Sequence, residues 1–358
     1  MKHLICYCFL LSIGMASCQL TNPANQIAKE LYPAYGHLSL PEHSFEQMWH
    51  LFDKLYAFFE EKEVDWEASY HRYRPQVTST TSESELIDIF AQMLNPLKDG
   101  HVRLIRADTN LVQLERKPCQ FAKRFDGQLR EFQDNTFEVL RTNGFDSITP
   151  IHPTEDYAEQ GYDHLYYYSQ SDKLAYLRIV DCRDQMAQYE QILEAIQPSQ
   201  GLIIDLRYNL GGSVGREMAS KFLPQKKVYG YKRVKRPSGL SDPIDLKAIP
   251  KGQTYTKPIV VLINDATFSS AEDFALVLAG ETHVTLVGSY TGGYLSDVFN
   301  YRLPNGMNVH LSHEQYYSTD SLLLEDRGIE PDILLENQWK DFRAGKDPLI
   351  DKAISILQ

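Results

Sequence analysis

One stretch, Val261 to Phe274 (VLINDATFSSAEDF), constrains both the fold and the chemistry of this chain. An apolar run of strand character, Ile259 to Ile263, breaks at the turn pair Asn264-Asp265, and a helical pattern follows from Ala271 to Ala279. A strand, a sharp turn and a helix with a serine at the junction place a hydroxyl over a helix N-terminus. There the unbonded N–H groups and the helix dipole favour a developing negative charge. The same residues also suit a structural role, because Ser269 and Glu272 have the S-x-x-E spacing of a capping box.

A second unit of the same kind precedes it. Gly201 to Leu206 reads as a buried strand that runs into Arg207-Tyr208-Asn209-Leu210-Gly211-Gly212-Ser213, with a helix expected from Val214 to Phe222. Glycines in such a turn let backbone N–H groups point into a cavity. A phosphate loop is disfavoured, since neither GK[ST] nor the GxGxxG spacing occurs there. Around these units the chain alternates strand and helix. Strands are expected at Leu174–Ile179 and Val284–Val287, an amphipathic helix at Gln185–Ile196, a hairpin with an Asn-Gly turn at 299–311, and a closing helix at 347–357.

The N-terminal half is read from its periodicities. Phe45, Met48, Trp49, Phe52, Leu55, Tyr56 and Phe59 recur at helical spacing, and Ser44 with Gln47 suggests the capping box that starts this helix. Glu85 to Leu94 is a further helix. Thr136–Leu140 and Leu165–Tyr168 read as short strands, and the charged stretch Tyr229–Lys251 as a surface excursion.

Composition sets outer bounds. A chain of 358 residues with 43% hydrophobic residues can bury a core, and a net charge of −12 without a basic cluster argues against nucleic acid as a partner. Met1-Lys2-His3, the apolar run Leu4 to Met15 and the small residues before Cys18 read as a secretory signal. Its end, MASC, resembles the lipobox of bacterial lipoproteins. That resemblance implies cleavage before Cys18, a lipid on that cysteine, and a chain anchored to the membrane of a bacterial cell envelope, facing the periplasm or exterior. Cys6 and Cys8 would leave with the signal. Cys119 and Cys182 would remain, either as a pair or as two buried thiols. No clustered Cys/His spacing suggests a metal.

Taken in order, DLRYNLGG, VLINDATFSSAEDF, VGSYTGG, LPNG and EDRGIEPDI resemble the tail-specific or C-terminal processing serine peptidases. Relatives of that family include the tricorn core protease and the interphotoreceptor retinoid-binding protein modules. The likeness covers residues 170–335, and LKDGHVRL extends it toward the N-terminal helices. It implies an α/β (α+β) fold with a ClpP/crotonase-like β-β-α core and an N-terminal helical subdomain. The expected division is a signal peptide at 1–18, a tether at 19–40, a helical subdomain at 41–105, a small β-rich connection at 106–170 and a catalytic core at 171–358.

The resemblance also assigns residues. Ser269 is the implied nucleophile, and the amides of Ser270 and of Gly211 or Gly212 are the implied oxyanion donors. Many processing peptidases carry a lysine base in T-x-G-K; here Thr291-Gly292-Gly293-Tyr294 puts Tyr294 at that position, and no lysine occurs between Lys257 and Lys340. These four residues are expected at the substrate. The tricorn-like branch uses a histidine base and a glutamate, which His101 and Glu325 match, with Gly100 where the tricorn protease has an assisting serine. His283, His310 and His313 are rivals for the base, and Asp326 and Glu330 for the glutamate. The expectation is a cell-envelope serine peptidase acting on peptide or protein substrates without metal or other cofactor. The alternative is a non-catalytic ligand- or peptide-binding lipoprotein on the same fold.

Overall fold

The computed structural model describes residue 35 and residues 37–107, 109–114, 119–125, 127–153, 164–209 and 211–358. Residues 1–18 with Cys18, the tether up to residue 34, and Leu210 lie outside the described residues. The chain forms two compact units. The first contains the described residues within Met1–Arg116, together with Arg233–Asp242 and Asp297–Glu314; the second contains Lys117–Lys232, Pro243–Ser296 and Gln315–Gln358.

The first unit joins helices Leu40–Leu55, Trp66–Tyr73 and Glu83–Leu94 with a four-stranded antiparallel sheet in the order 298–302, 308–312, 103–106, 109–113. The long aromatic helix starts earlier than its Ser44/Gln47 pair suggests. Its cap is Ser39, whose N–H donates to Glu42 Oε2 at 3.2 Å, with a proline in the first turn. Ser44 is instead buried inside the helix, its hydroxyl donating to the Leu40 carbonyl at 2.8 Å. Phe45, Phe52, Phe90 and Met93 are fully buried. Trp49 and Trp66 each donate an indole N–H to the other's carbonyl, at 3.1 and 3.0 Å, which lets two large polar-tipped rings be buried at no hydrogen-bonding cost.

The second unit is built on a seven-stranded sheet in the order 333–334, 284–288, 259–263, 201–205, 174–179, 166–170, 149–151. The strands from 333 to 179 pair in parallel, and the last two are antiparallel. The continuous apolar runs follow from burial on both faces. Along Ile259–Ile263, residues 259, 261 and 263 face a core that includes Ile196, Phe222 and Phe274, whereas 260 and 262 face Leu140, Leu349 and Ile350. The result is a mixed α/β architecture with helices covering both faces of the sheet.

Three local expectations are corrected here. Thr136–Leu140 is not a strand but part of the helix Leu129–Thr142, which lies between the strands 109–113 and 149–151. Its β-branched and aromatic residues suggest a strand, yet Phe132, Thr136, Phe137, Val139 and Leu140 lie on one side of the helix and are the residues buried. Tyr229–Lys251 is no mere excursion, because strands Lys227–Arg236 and Ile244–Ala248 pair antiparallel within it. The helix after the glycine turn is regular only over Gly215–Ala219 and tightens into a 3₁₀ turn at Ser220–Phe222.

Cys119 and Cys182 are free thiols rather than a disulfide. The Cys119 Sγ donates to Asp265 Oδ1 at 3.4 Å, whereas the fully buried Cys182 accepts from Asn209 Nδ2 at 3.5 Å. Burial pushes the Cys119 thiol up to about 12 and raises that of Cys182 as well. Among the described residues no helix is long and apolar enough to cross a membrane.

Candidate active site

Two turns, each following the C-terminal end of one of two adjacent parallel strands, build the site, the place where open α/β sheets leave a crevice. After Ile259–Ile263, Asn264 shapes the first turn by accepting from Tyr208 N at 3.3 Å and Ala266 N at 3.0 Å. Thr267 accepts from Asn264 N at 3.1 Å and donates to the Leu206 carbonyl at 2.9 Å. Phe268 N donates to the Asn209 carbonyl at 2.9 Å. The serine turn is thereby tied to the glycine turn that follows Gly201–Asp205.

The glycine turn is anchored from below. The Arg207 guanidinium, fully buried, donates to Asp205, Asn337 and Asp347, with its closest contact 2.7 Å from Asp205 Oδ2. These charges hold the Asp205 carboxyl low despite its burial. Asn209 then reaches both ways: Nδ2 donates to the Ile179 carbonyl at 2.9 Å, and Oδ1 accepts from Gly211 N at 3.0 Å.

Ser269 caps the helix Ser270–Leu278 with φ +54° and ψ −122°, a conformation that costs a non-glycine residue about 1–3 kcal/mol unless its surroundings hold it. Ser269 and Glu272 form the capping-box arrangement, with Ser269 N donating to Glu272 Oε2 at 2.9 Å. Gly211 faces it closely. A Cβ there would stand 2.9 Å from Ser269 Cβ and 3.4 Å from its Oγ. The neighbouring Ser270 hydroxyl is already engaged, accepting from Gly215 N at 2.8 Å. Of the three expected oxyanion amides, that of Gly211 is held by Asn209, whereas those of Gly212 and Ser270 donate to no acceptor among the described residues.

The Thr291–Tyr294 stretch, expected at the substrate, is tied to the serine turn and helix through the Thr291 hydroxyl and its amides. Thr291 Oγ1 donates to Glu272 Oε1 at 2.6 Å and accepts from Ile329 N at 2.7 Å. The amides of residues 292, 293 and 294 donate respectively to the Thr267 carbonyl at 3.0 Å, Glu272 Oε1 at 2.8 Å and Glu272 Oε2 at 2.8 Å. The Tyr294 ring is buried in an aromatic cluster with Phe121, Phe125 and Phe268. A Cβ on Gly292 would stand 2.1 Å from the Phe268 ring, so the loop needs its glycine to lie against that ring. The four amides of this stretch are thus bonded within the fold.

This loop supports the turn that carries Glu325. Asp326 N donates to the Gly293 carbonyl at 2.9 Å, and Thr291 N to the Ile329 carbonyl at 3.2 Å. Gly328 has φ +75°, and a Cβ on it would stand 2.2 Å from the Thr291 carbonyl oxygen. Glu325 itself is 8% exposed. Its rival Glu330 is exposed and lies 3.7 Å from Arg327; Asp326 is half-buried at φ +56°. Ser269, Ser270, Gly211, Gly212, residues 291–294 and Glu325 all belong to the second unit.

His101 belongs to the first unit, just before the strand Arg103–Arg106, and its N–H donates to Asp99 Oδ1 at 2.8 Å. His310 lies in the same sheet, paired with Arg103; burial first, then the charges of Arg103 and His101, lower its pKa. His283 is taken up by the Phe222 carbonyl, to which its Nε2 donates at 2.9 Å. His313 Nδ1 lies 3.0 Å from the Asp297 carbonyl.

The residue that sequence reading undervalued is Glu272. It is completely buried, and both carboxylate oxygens accept two hydrogen bonds each, from Ser269, Thr291, Gly293 and Tyr294. Burial pushes its carboxyl up to about 7 against the pull of these donors. The only sequence signal is the S-x-x-E spacing, which by itself announces no more than a helix cap.

Fold and site together define a chain organised around a serine at a strand–helix junction of a parallel α/β sheet. Its sequence places it further: residues 173–335 match Peptidase family S41, and residues 41–95 match the tricorn protease C1 domain. The chain thus carries a peptidase family S41 domain and a tricorn protease C1 domain. It is similar to the carboxy-terminal processing protease CtpA of Bacillus subtilis, 29% identical over 138 residues, which are 38% of this chain and 29% of that protein. It is also similar to the tricorn protease of Thermoplasma acidophilum, 29% identical over 160 residues, 44% of this chain and 14% of that protein. The chain therefore spans less than a third of the length of either curated relative. Among solved structures, a candidate peptidase from Parabacteroides merdae superposes with a TM-score of 0.70 at 27% identity, covering 89% of this chain and 97% of that one.

Proposed function

We propose that the protein is a serine peptidase of the tail-specific, tricorn-like kind, cleaving peptide bonds through an acyl-enzyme on Ser269. The observation that carries this reading is the setting of Ser269: a serine at a helix N-terminus, at φ +54°, with the glycine turn packed against its side chain. A helix cap alone needs neither the unusual φ nor the close glycine.

In the proposed reaction Ser269 Oγ attacks the scissile carbonyl carbon while its proton passes to His101. The oxyanion is met by the amides of Ser270 and Gly212, each worth about 3 kcal/mol in such sites. The protonated histidine then gives its proton to the departing amine, and water repeats the sequence on the ester to release the acid. A neutral histidine near pH 7 suits the task, and Glu325 would orient it and stabilise its charged form. The roles of His101 and Glu325 rest on the family resemblance of LKDGHVRL and EDRGIEPDI, and the likeness to processing and tricorn proteases supports the substrate class.

The pattern of residues 1–18 supports a lipid on Cys18 and attachment to the cell envelope. Incubation with a fluorophosphonate tests the catalytic reading. Labelling at Ser269, and loss of peptide turnover in Ser269→Ala, are expected. An unlabelled Ser269, with turnover unchanged in Ser269→Ala, would leave a binding protein on this fold.

A further inference from the structure

We infer that Glu272 is a positioning residue that holds the Ser269 nucleophile and the Glu325 turn in one arrangement, an inference that rests on the peptidase reading above. A helix cap needs one carboxylate oxygen and one amide. Glu272 uses both oxygens and four donors, three of which belong to the Thr291–Tyr294 loop rather than to its own helix. The loop passes the constraint on. Thr291 Oγ1 is bonded to Glu272 at 2.6 Å and to Ile329 N at 2.7 Å, and the Gly293 carbonyl accepts from Asp326 N at 2.9 Å, next to Glu325. At the other end, the bond to Ser269 N holds the strained backbone that presents the nucleophile.

The chemistry of the side chain is specific. A carboxylate offers only acceptors, so four converging donors are satisfied together. A glutamine of the same shape would turn an NH₂ toward two of those donors and could satisfy only the other two. The donors to Glu272 among the described residues are all neutral, and burial pushes its carboxyl up to about 7 against their pull. Such a hub sets position: a displacement of the nucleophile on the order of 1 Å costs about 10²-fold in rate.

The test is fluorophosphonate titration of the full chain, in which the Ser269 Oγ–phosphorus bond forms, fluoride leaves and the hydroxyl proton passes to the base. Both the rate and the end-point are read. In Glu272→Gln the limiting labelling rate is expected to fall about 10²-fold, with the half-saturating reagent concentration and the final stoichiometry unchanged. Damage that is merely structural lowers the end-point instead, and a wild-type rate or a lowered end-point with an unchanged rate overturns the inference. Thr291→Val removes one of the four donors on Glu272 together with the bond to Ile329 N, and leaves the other three donors in place. It is expected to slow labelling less than Glu272→Gln, and less than additively in the double variant. Should Glu272→Gln not fold, a wild-type rate in Thr291→Val overturns the inference by itself. The wild type is scored first: if it is unlabelled, the peptidase reading fails and the inference with it, whereas a labelled wild type beside an equally fast Glu272→Gln removes the inference alone.

Discussion

The backbone of Gly211 packs against the side chain of Ser269 so closely that a methyl group at 211 would stand 2.9 Å from Ser269 Cβ. Gly211 also has φ +109°, which L side chains rarely adopt. Gly211→Ala should therefore displace the serine and strain the turn together. Labelling of Ser269 by a fluorophosphonate is expected to slow by about 10²-fold or more, with a stability cost of about 1–3 kcal/mol read by denaturant unfolding. Labelling at the wild-type rate would contradict the packing described here.

The proposed base and its orienting carboxylate make separate predictions. His101→Ala should lower turnover of a peptide substrate by roughly 10²–10⁴-fold, the usual contribution of a general base. Glu325→Gln, which preserves shape while removing charge, should lower kcat by up to about 10⁴-fold. Near-normal turnover in either variant would redirect the assignment, for Glu325 toward Asp326 or Glu330.

Glu272 gives the protein a signed pH dependence. Its carboxyl is raised from 4.5 to about 7 in the fold, mainly by burial. The contribution of such a group is complete below the unfolded value and is lost as pH rises through the folded one. The two values imply a loss of about 3 kcal/mol across that window. Stability of the wild type, followed by urea unfolding from pH 4.5 to pH 8, should thus fall more steeply than that of Glu272→Gln. Parallel curves for the two proteins would show that Glu272 does not titrate in this range.

Arg207 should be important for stability rather than chemistry. Its guanidinium is fully buried between Asp205 and Asp347. Arg207→Met would leave Asp347 buried without its cation and Asp205 with only Arg178, 3.7 Å away, at a cost of about 3–5 kcal/mol. Equilibrium unfolding checks this, and a change within 1 kcal/mol would mean that water or a rearrangement replaces the pairing.

Much of the second unit is legible in the sequence because its signals are local. Ile259–Ile263 and Leu174–Ile179 are apolar runs bounded by turn residues, and the structure places strands at those residues. In the first unit, the hairpin at 299–311 follows from Asn305-Gly306 and its flanking alternation, with strands at Val298–Arg302 and Asn308–Ser312. The helix at 129–142 was obscured because Phe137, Val139 and Leu140 suit a strand as well as a helix. What decided it was a hydrophobic surface to cover, formed by Tyr176, Ile203 and Val260 from elsewhere in the chain.

The sequence by itself determined that a serine would stand at a strand–helix junction beside a glycine-rich turn, since strand, turn and cap are each specified by residues a few positions apart. Only the tertiary structure decided what Glu272 does and which way residues 291–294 face. The partners of Glu272 in the 291–294 loop, and those of the loop at Phe268, Asp326 and Ile329, come from other segments and meet only once the parallel strands are in register. A carboxylate buried without a cation beside it needs donors converging on it, and such convergence is a property of the folded sheet rather than of any stretch of the chain.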